Sequence, residues 1–310
     1  MKQRIMIAGA TASGKSSLAV ALAEQIGGEI ISVDSRQCYR QINVGTAKPT
    51  QEQLDAVQHF NISNLDLDEE DSAMQFHSRA ETWADEIESR GNTVIYCGGS
   101  TLHLQSLVRP LDDMPSSNRE NIKQLEAELD QHGVDALFKK LQQVDPEYAE
   151  KADGTNHRRI IRALDVWMQT GKPFSSYHTK NKFRQPDNIQ VFATHWPRKI
   201  LHQRIEERCD EMIKNGLVEE TKSILAKGYS PELQALQTVG YKQVIQYLNG
   251  EIDREQMIKD FKTATRRYAK RQITWLRRWP FLTWLDCSKH SRSELIETIQ
   301  HQVAADVNKG

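Results

Sequence analysis

The sequence predicts an α/β fold in which a parallel sheet is flanked by helices and carries an inserted, mainly helical domain. Short apolar stretches suited to buried strands lie at residues 5–8, 29–33, 93–97 and 190–194. Helical stretches lie between the first three and after the fourth. This alternation of strand and helix is typical of a parallel, doubly wound sheet.

An insertion is indicated because about ninety residues separate the third strand from the fourth, too many for one crossover. Apolar stripes at helical spacing predict helices within it, one through Ile122, Leu125 and Leu129 and one through Ile160, Ile161, Leu164 and Trp167. We therefore predict a core of residues 1–111 and 189–310 and a helical insertion of residues 112–188.

A phosphate-binding loop follows the first strand directly. Residues 9–16 read GATASGKS, a complete G-x-x-x-x-G-K-[ST] pattern placed between a strand and a helix. In that context Gly9 and Gly14 let backbone N–H groups wrap an anion, while Lys15 and the Ser16 hydroxyl reach a terminal phosphate and Mg²⁺. The fold is therefore predicted to be P-loop NTPase-like, although the loop indicates a ligand class and not a reaction.

Two further polar residues follow predicted strands. Asp34 ends the second strand and Ser100 comes after Gly98 and Gly99 at the end of the third, at the carboxyl edge where ligands bind in open α/β sheets. Position alone leaves Asp34 open between a Mg²⁺ partner and a general base. Ser100 is either a functional hydroxyl or the N-cap of a helix beginning near Leu102.

Composition excludes several classes of protein. No apolar run approaches the ~20 residues of a membrane-spanning helix, and no signal peptide is indicated, so we expect a cytoplasmic protein with no membrane partner. Four cysteines lie far apart without a C-x-x-C pair, which indicates neither a zinc module nor a disulfide framework.

Two basic clusters indicate a nucleic acid partner. Residues 154–184 hold seven Lys/Arg against the single Asp165, and residues 262–278 hold seven and no acid, whereas residues 51–90 hold eleven Asp/Glu against two Lys/Arg. The clusters are interleaved with Trp167, Phe174, Tyr177, Tyr268, Trp275 and Trp279. Basic residues neutralise phosphates and aromatic rings stack on unpaired bases, which together favour RNA or a single strand. A solvated helix face is the alternative for either cluster.

Seven segments resemble the motifs of the bacterial tRNA dimethylallyltransferases, also called tRNA isopentenyltransferases. They are GATASGKS, IISVDSRQCYR, VGTAKP, GGSTLHL, RRIIRAL, TVGYK and KRQITWLRR, and they run in matching order from Gly9 to Arg278. The resemblance implies transfer of a dimethylallyl group from dimethylallyl diphosphate to N6 of the adenosine 3′-adjacent to the anticodon. It also implies Mg²⁺, release of diphosphate and a tRNA anticodon stem-loop as partner. We expect the protein to be a monomer.

The resemblance implies roles for individual residues. Asp34 is the general base, Ser100 supplies a hydroxyl near the leaving oxygen, and Arg208 belongs to the diphosphate and transition-state set. The diphosphate contacts are Gly9, Ala10, Thr11, Ala12, Ser13, Gly14, Lys15 and Ser16, the last also a Mg²⁺ ligand. The tRNA contacts are Asp34, Ser35, Arg36, Gln37, Ser100, Arg158, Arg159, Ile160, Ile161, Arg162, Gln237, Thr238, Val239, Gly240, Tyr241, Lys242, Lys270, Arg271, Gln272, Ile273, Thr274, Trp275, Leu276 and Arg277.

Three residues depart from the family pattern, which usually has Pro at Ala10, Thr at Ser100 and Tyr at His103. Serine keeps the hydroxyl. His103 either lines the substrate tunnel or is a satisfied polar residue beside it.

Two other classes of function stay open. One is a P-loop kinase or NTPase acting on a nucleotide or RNA, and the other is a non-catalytic RNA-binding protein that uses nucleotide as a switch. Against an NTPase, no apolar run ending in Asp follows the third strand, which ends in glycines.

Overall fold

A computed structural model of the protein describes residues 3–109, 114–178 and 186–307. The chain divides into two compact units, one made of Met1–Arg109 with Phe183–Gly310 and the other of Pro110–Lys182. The boundary predicted between 111 and 112 lies outside the described residues, as do Lys180, Lys182 and Arg184 of the first basic cluster.

The first unit is built on a parallel sheet of six strands among the described residues. The strands are β1 (Arg4–Gly9), β2 (Gly28–Val33), β3 (His59–Phe60), β4 (Thr93–Gly98), β5 (Ile189–His195) and β6 (Thr283–Asp286), in the order β3-β2-β4-β1-β5-β6. Every pairing is parallel. The prediction of a parallel α/β sheet is confirmed.

Helices cover both faces of this sheet. In the first unit they are α1 (Lys15–Ile26), α2 (Gln51–Ala56), α3 (Ala73–Ser89), α4 (Thr101–Val108), α8 (Arg198–Lys214), α9 (Leu217–Ala226), α10 (Tyr241–Leu248), α11 (Arg254–Leu276) and α12 (Arg292–Val307). In the second unit they are α5 (Arg119–Val144), α6 (Pro146–Lys151) and α7 (His157–Thr170), followed by a 3₁₀ turn at Phe174–Tyr177.

Side chains of β1 show why the strand is buried on both faces. Ile5 and Ile7 pack with α1 and α12, while Met6 and Ala8 pack on the opposite face with α3, α4 and the end of α11. This alternation follows the two-residue period of a strand, and burial on both faces requires the continuous apolar run seen in the sequence.

The second unit has its own small core. Leu137, Leu141, Ile160 and Leu164 are buried where α5 and α7 pack together, and α5 is interrupted at Gly133, which has a φ of 76°. Of the predicted α7 stripe, Ile160, Ile161 and Leu164 are buried, whereas Trp167 is 39% exposed and lies outside the core.

Candidate active site

The phosphate loop between β1 and α1 has the backbone of an anion-binding turn. Ala12 and Gly14 have φ values of 61° and 87°, and Gly14 directly precedes the first turn of α1. A Cβ on Gly9 would lie 2.2 Å from Oγ1 of Thr194, so only glycine fits there. Left-handed residues within such a loop turn successive N–H groups toward one concave side, next to the positive end of the helix.

Two residues remote in sequence hold this loop by hydrogen bonds to its backbone. Trp196 Nε1 donates to the Ser13 carbonyl at 2.9 Å, and Arg204 Nε donates to the Ala12 carbonyl at 2.9 Å. The Arg204 guanidinium also lies 4.7 Å from the centre of the Trp196 ring. These bonds engage the Ala12 and Ser13 carbonyls and fix this part of the loop. Neither residue belongs to a local sequence motif, so neither was predicted.

Gln272 joins the phosphate loop to the end of β4. Its Oε1 accepts from Thr11 N at 2.9 Å, and its Nε2 donates to the Gly99 carbonyl at 2.8 Å. Only 3% of the residue is exposed. The resemblance implies a tRNA contact here, but this side chain is committed to positioning the two loops.

Asp34 follows β2 and lies partly exposed at the carboxyl edge of the sheet. Its Oδ1 accepts hydrogen bonds from Arg36 N at 2.8 Å and Gln37 N at 3.2 Å, which fixes the carboxylate in an Asx turn. Within the described residues Oδ2 has no hydrogen bond. One carboxylate oxygen is therefore held by the backbone while the other stays available to a substrate.

Gln37 has a structural role beside Asp34. Its Oε1 accepts from Ser32 Oγ at 2.8 Å, and its Nε2 donates to the carbonyls of Thr46 and Ala47. These bonds hold the VGTAKP segment against the end of β2, so the side chain implied to contact tRNA is already engaged.

Two cations near the loop lack an ion-pair partner within the part of the chain that is described. Burial lowers the pKa of Lys15, and the positive charge of the neighbouring Arg208 lowers it further. Burial also lowers the pKa of Arg208. Asp34 opposes both shifts only partly. The Arg208 Nε atom is buried without a hydrogen-bond partner, and Lys15 Nζ reaches only the Ala10 carbonyl at 3.3 Å. Such unpaired, desolvated cations favour a bound anion.

Ser100 lies beside Asp34, because neighbouring strands end together. The Ser100 N–H donates to the Val33 carbonyl at 3.2 Å, and a Cβ on Gly98 would lie 2.0 Å from that same carbonyl oxygen. Ser100 occupies the N-cap position of α4 but makes no side-chain capping bond. Its Oγ pairs instead with His103 Nδ1 at 3.0 Å.

The donors available for a cation suit Mg²⁺ bound through a substrate. Ser16 lies exposed in the first turn of α1, and the described residues contain no group of three or more His, Cys, Asp or Glu that could hold a metal. Mg²⁺ commonly keeps few protein ligands and is completed by water and phosphate oxygens. The residues present therefore fit a phosphate-bound Mg²⁺ better than a cage of protein ligands.

The predicted tRNA contacts of the first unit divide into exposed and buried side chains. Lys242, Lys270, Arg271, Thr274 and Arg277 are exposed, whereas Tyr241 and Leu276 are buried. The Tyr241 hydroxyl donates to Glu220 Oε1 and accepts from Gly45 N at 3.1 Å, so it secures the VGTAKP segment. Ser35, Arg36, Gln237, Thr238, Val239, Ile273 and Trp275 are partly exposed and Gly240 is buried.

The predicted tRNA contacts of the second unit lie on α7. Arg158 and Arg159 are exposed, and Ile160 and Ile161 belong to the core. Arg162 differs from the other two arginines because it pairs with the buried Asp165 at 2.7 Å and also donates to the Pro115 carbonyl. A structural role therefore competes with RNA contact at Arg162.

A family model described as IPP transferase matches residues 37–279. The chain belongs to the IPP transferase family. It is 40% identical over 316 residues to a tRNA dimethylallyltransferase of Thermoanaerobacter sp. (strain X514), with 99% of each chain covered. It is also 40% identical over 289 residues to the tRNA dimethylallyltransferase of Caldanaerobacter subterraneus subsp. tengcongensis, covering 91% of each. The resemblance inferred from the sequence motifs is confirmed.

Solved structures with the same fold come from this family. A full-length tRNA isopentenylpyrophosphate transferase from Bacillus halodurans aligns with a TM-score of 0.73 at 33% identity, covering 100% of this chain and 98% of that one. A eukaryotic dimethylallyltransferase acting on tRNA aligns with a TM-score of 0.78 at 28% identity, covering 92% and 74%. In the described ranges, no helix is both long and apolar enough to cross a membrane.

Proposed function

We propose that this chain transfers a dimethylallyl group from dimethylallyl diphosphate to N6 of the adenosine 3′-adjacent to the anticodon in tRNA, releasing diphosphate. What carries the proposal is the combination of Asp34 and Ser100 at adjacent strand ends with two unpaired cations beside a phosphate loop. Full-length relatives named tRNA dimethylallyltransferase support the choice of reaction.

Asp34 acts as the base in the proposed reaction. The exocyclic amine of adenine is a poor nucleophile because its lone pair is delocalised into the ring. As the N6–C bond forms and the carbon–oxygen bond to diphosphate breaks, the amine proton passes to the free Oδ2 of Asp34. Positioned proton transfer of this kind contributes typically ~10²- to 10⁴-fold to the rate.

The phosphate loop, Lys15 and Arg208 stabilise the leaving diphosphate. The electron pair of the broken bond stays on the diphosphate, so negative charge grows in the transition state. Fixed N–H groups and unpaired cations interact more strongly with that state than with the bound substrate, which lowers the barrier. Ser16 and phosphate oxygens would hold Mg²⁺, which supplies further charge neutralisation when bound.

Two exposed basic surfaces are proposed to bind the tRNA backbone. The basic surface of α11 consists of Lys270, Arg271 and Arg277, the residue that directly follows the helix. The basic surface of α7 consists of Arg158 and Arg159. The target base must leave the anticodon-loop stack to reach Asp34, and contacts to neighbouring phosphates offset part of that cost.

If the basic surface of α11 binds RNA phosphates, removing its charges should weaken RNA binding and make that binding less dependent on salt. Replacing Lys270 and Arg271 with Ala is expected to weaken anticodon stem-loop binding and to reduce the slope of log K against log salt by roughly two. Affinity for dimethylallyl diphosphate alone should not change. The measurement is fluorescence anisotropy of a labelled stem-loop at several salt concentrations.

A matched control replaces Lys222 and Lys227 with Ala. Both lysines are exposed, in and just after α9, so this variant loses the same net charge at a different place. The Arg158→Ala and Arg159→Ala pair tests α7 in the same way without disturbing the Arg162–Asp165 ion pair. If both basic-surface double variants keep wild-type affinity and salt slope, these surfaces face solvent and do not contact the RNA.

Mass spectrometry distinguishes the proposed transferase from a kinase or NTPase. The protein is incubated with an anticodon stem-loop and dimethylallyl diphosphate, and the intact RNA is expected to gain one dimethylallyl unit. ATP in place of the donor should be neither hydrolysed nor used to phosphorylate the RNA. ATP turnover without prenyl transfer would assign the phosphate loop to a phosphoryl-transfer enzyme.

We also propose that the enzyme works as a monomer in the cytoplasm. The proposed tRNA substrate supports the location, and a single chain supplies every residue assigned above. Light scattering coupled to size-exclusion chromatography checks the monomer, for which the expected mass is 35.6 kDa.

A further inference from the structure

His103 lies directly behind Ser100 in the first turn of α4. Its Nδ1 is 3.0 Å from Ser100 Oγ, its ring centre is 4.6 Å from that of Phe76, and its side chain is only 7% exposed. The imidazole is therefore fixed in orientation, with one nitrogen against the Ser100 hydroxyl.

Asp71 faces the other nitrogen of this imidazole. Its Oδ2 is 3.7 Å from His103 Nε2, which is buried and has no hydrogen-bond partner within the described residues. Its Oδ1 accepts from Arg79 Nη2 at 2.8 Å. The Asp71 side chain is 2% exposed. Burial by itself raises the pKa of Asp71, but the adjacent His103 and Arg79 outweigh burial and lower it. Asp71 is therefore a buried, ionised carboxylate at neutral pH.

In a neutral imidazole only one nitrogen carries a proton, and the position of Asp71 favours Nε2 over Nδ1. A carboxylate beside Nε2 stabilises a proton there, which leaves a lone pair on Nδ1. Nδ1 then accepts a hydrogen bond from the Ser100 hydroxyl. Because a serine hydroxyl has one proton, the remaining Ser100 lone pairs can only accept hydrogen bonds from a ligand.

We propose that His103, oriented by Asp71, is a positioning residue that makes Ser100 a hydrogen-bond acceptor for the target amine. The inference rests on the proposed function. The N6 amine carries two hydrogens, one of which passes to Asp34 during the reaction. Ser100, bonded through its N–H to the residue before Asp34, accepts a hydrogen bond from the other and aims the nitrogen lone pair at the donor carbon.

This assignment changes the role implied by family resemblance, in which the Ser100 hydroxyl lies near the leaving oxygen. A hydroxyl that donates to His103 cannot also donate to that oxygen. Stabilisation of the leaving group then falls to the phosphate loop, Lys15 and Arg208. His103, found where the family usually has tyrosine, thus serves in this chain to accept the hydrogen bond of the Ser100 hydroxyl.

Nitrogen NMR of the free wild-type protein tests the tautomer directly. Histidine-labelled protein is compared with the His103→Asn variant, which assigns the His103 signals. We expect a protonated Nε2 and an unprotonated Nδ1. A proton on Nδ1 would make His103 the donor and overturn the proposal. This measurement needs neither substrate, so its result is independent of whether the proposed transferase function holds.

Single-turnover kinetics test the consequence for catalysis. With both substrates saturating, His103→Ala is expected to lower the rate ~10-fold while the Kd values for donor and stem-loop stay within ~2-fold. His103→Asn should recover most of the rate, because its carbonyl oxygen replaces Nδ1 as acceptor. In a Ser100→Ala background, His103→Ala should have no further effect, since the two residues act as one unit.

An equal loss from His103→Ala in both backgrounds, or a loss that His103→Asn does not recover, would assign His103 a packing role only. If the wild-type protein shows no prenyl transfer at all, the proposed function fails, whereas the NMR result still decides the His103 tautomer.

Discussion

Replacing Asp34 with Asn is expected to lower the single-turnover rate of prenyl transfer ~10²-fold or more. The amide keeps the shape of the carboxylate and can still accept the Arg36 and Gln37 N–H bonds through its oxygen. It cannot take a proton from N6. Affinity for the anticodon stem-loop should therefore stay within a few-fold of wild type, as measured by anisotropy beside the rapid-quench rate.

A matched control for this variant is Asp68→Asn. Asp68 is exposed and makes no hydrogen bond within the described residues, so the same chemical change there should leave the rate unchanged. A near-normal single-turnover rate for Asp34→Asn would remove Asp34 from the role of base. A large loss of RNA affinity with an unchanged rate would make it a binding residue instead.

Replacing Lys15 with Ala is expected to weaken dimethylallyl diphosphate binding ~10- to 100-fold, the usual size of a lost charge-assisted hydrogen bond. Because Lys15 forms no salt bridge within the described chain, its loss should not lower the melting temperature of the protein without donor. Calorimetry with the donor and a thermal melt without it together check both expectations.

Exposed Lys222 on α9 offers the corresponding control, and Lys222→Ala should change neither quantity. The result would contradict the assignment of the loop if donor affinity and kinetics were unchanged in Lys15→Ala. A large loss of thermal stability in the absence of donor would indicate that Lys15 is mainly a structural residue.

Local patterns predicted the parts of the site that depend on local geometry. A strand followed by GATASGKS and a helix requires a tight loop, and the structure has positive φ at Ala12 and Gly14. Asp34 and Ser100 were placed at one edge because parallel strands end together. The Val33 to Gly98 register brings these two ends into direct contact.

Contacts between distant residues could not be predicted from one sequence. Trp196, Arg204 and Gln272 bond to the phosphate loop across 183, 192 and 261 residues, and no spacing pattern links such positions. The strands β3 and β6 were not predicted for the same reason. They are only two and four residues long, and they form by pairing with β2 and β5, which are distant in sequence. The histidine at 103 was recognised as unusual, but its Asp71 neighbour was not foreseen.

Burial also separated residues that the family resemblance had treated alike. The segment from Lys270 to Leu276 lies in one continuous helix, yet its exposed Lys270 and Arg271 adjoin Gln272, which is buried. A helix turns about 100° per residue, so neighbouring positions face different surroundings. The sequence motif marks the segment, and only the fold shows which side chains can meet an RNA.

The most direct test of the account is to map the site of modification on the RNA product. An anticodon stem-loop is incubated with the wild-type protein and dimethylallyl diphosphate, and the product is sequenced by tandem mass spectrometry. We expect one dimethylallyl group, on N6 of the adenosine that follows the anticodon, and its near absence with Asp34→Asn at the same reaction time. Unmodified RNA, or a group attached to another nucleotide or atom, would contradict it.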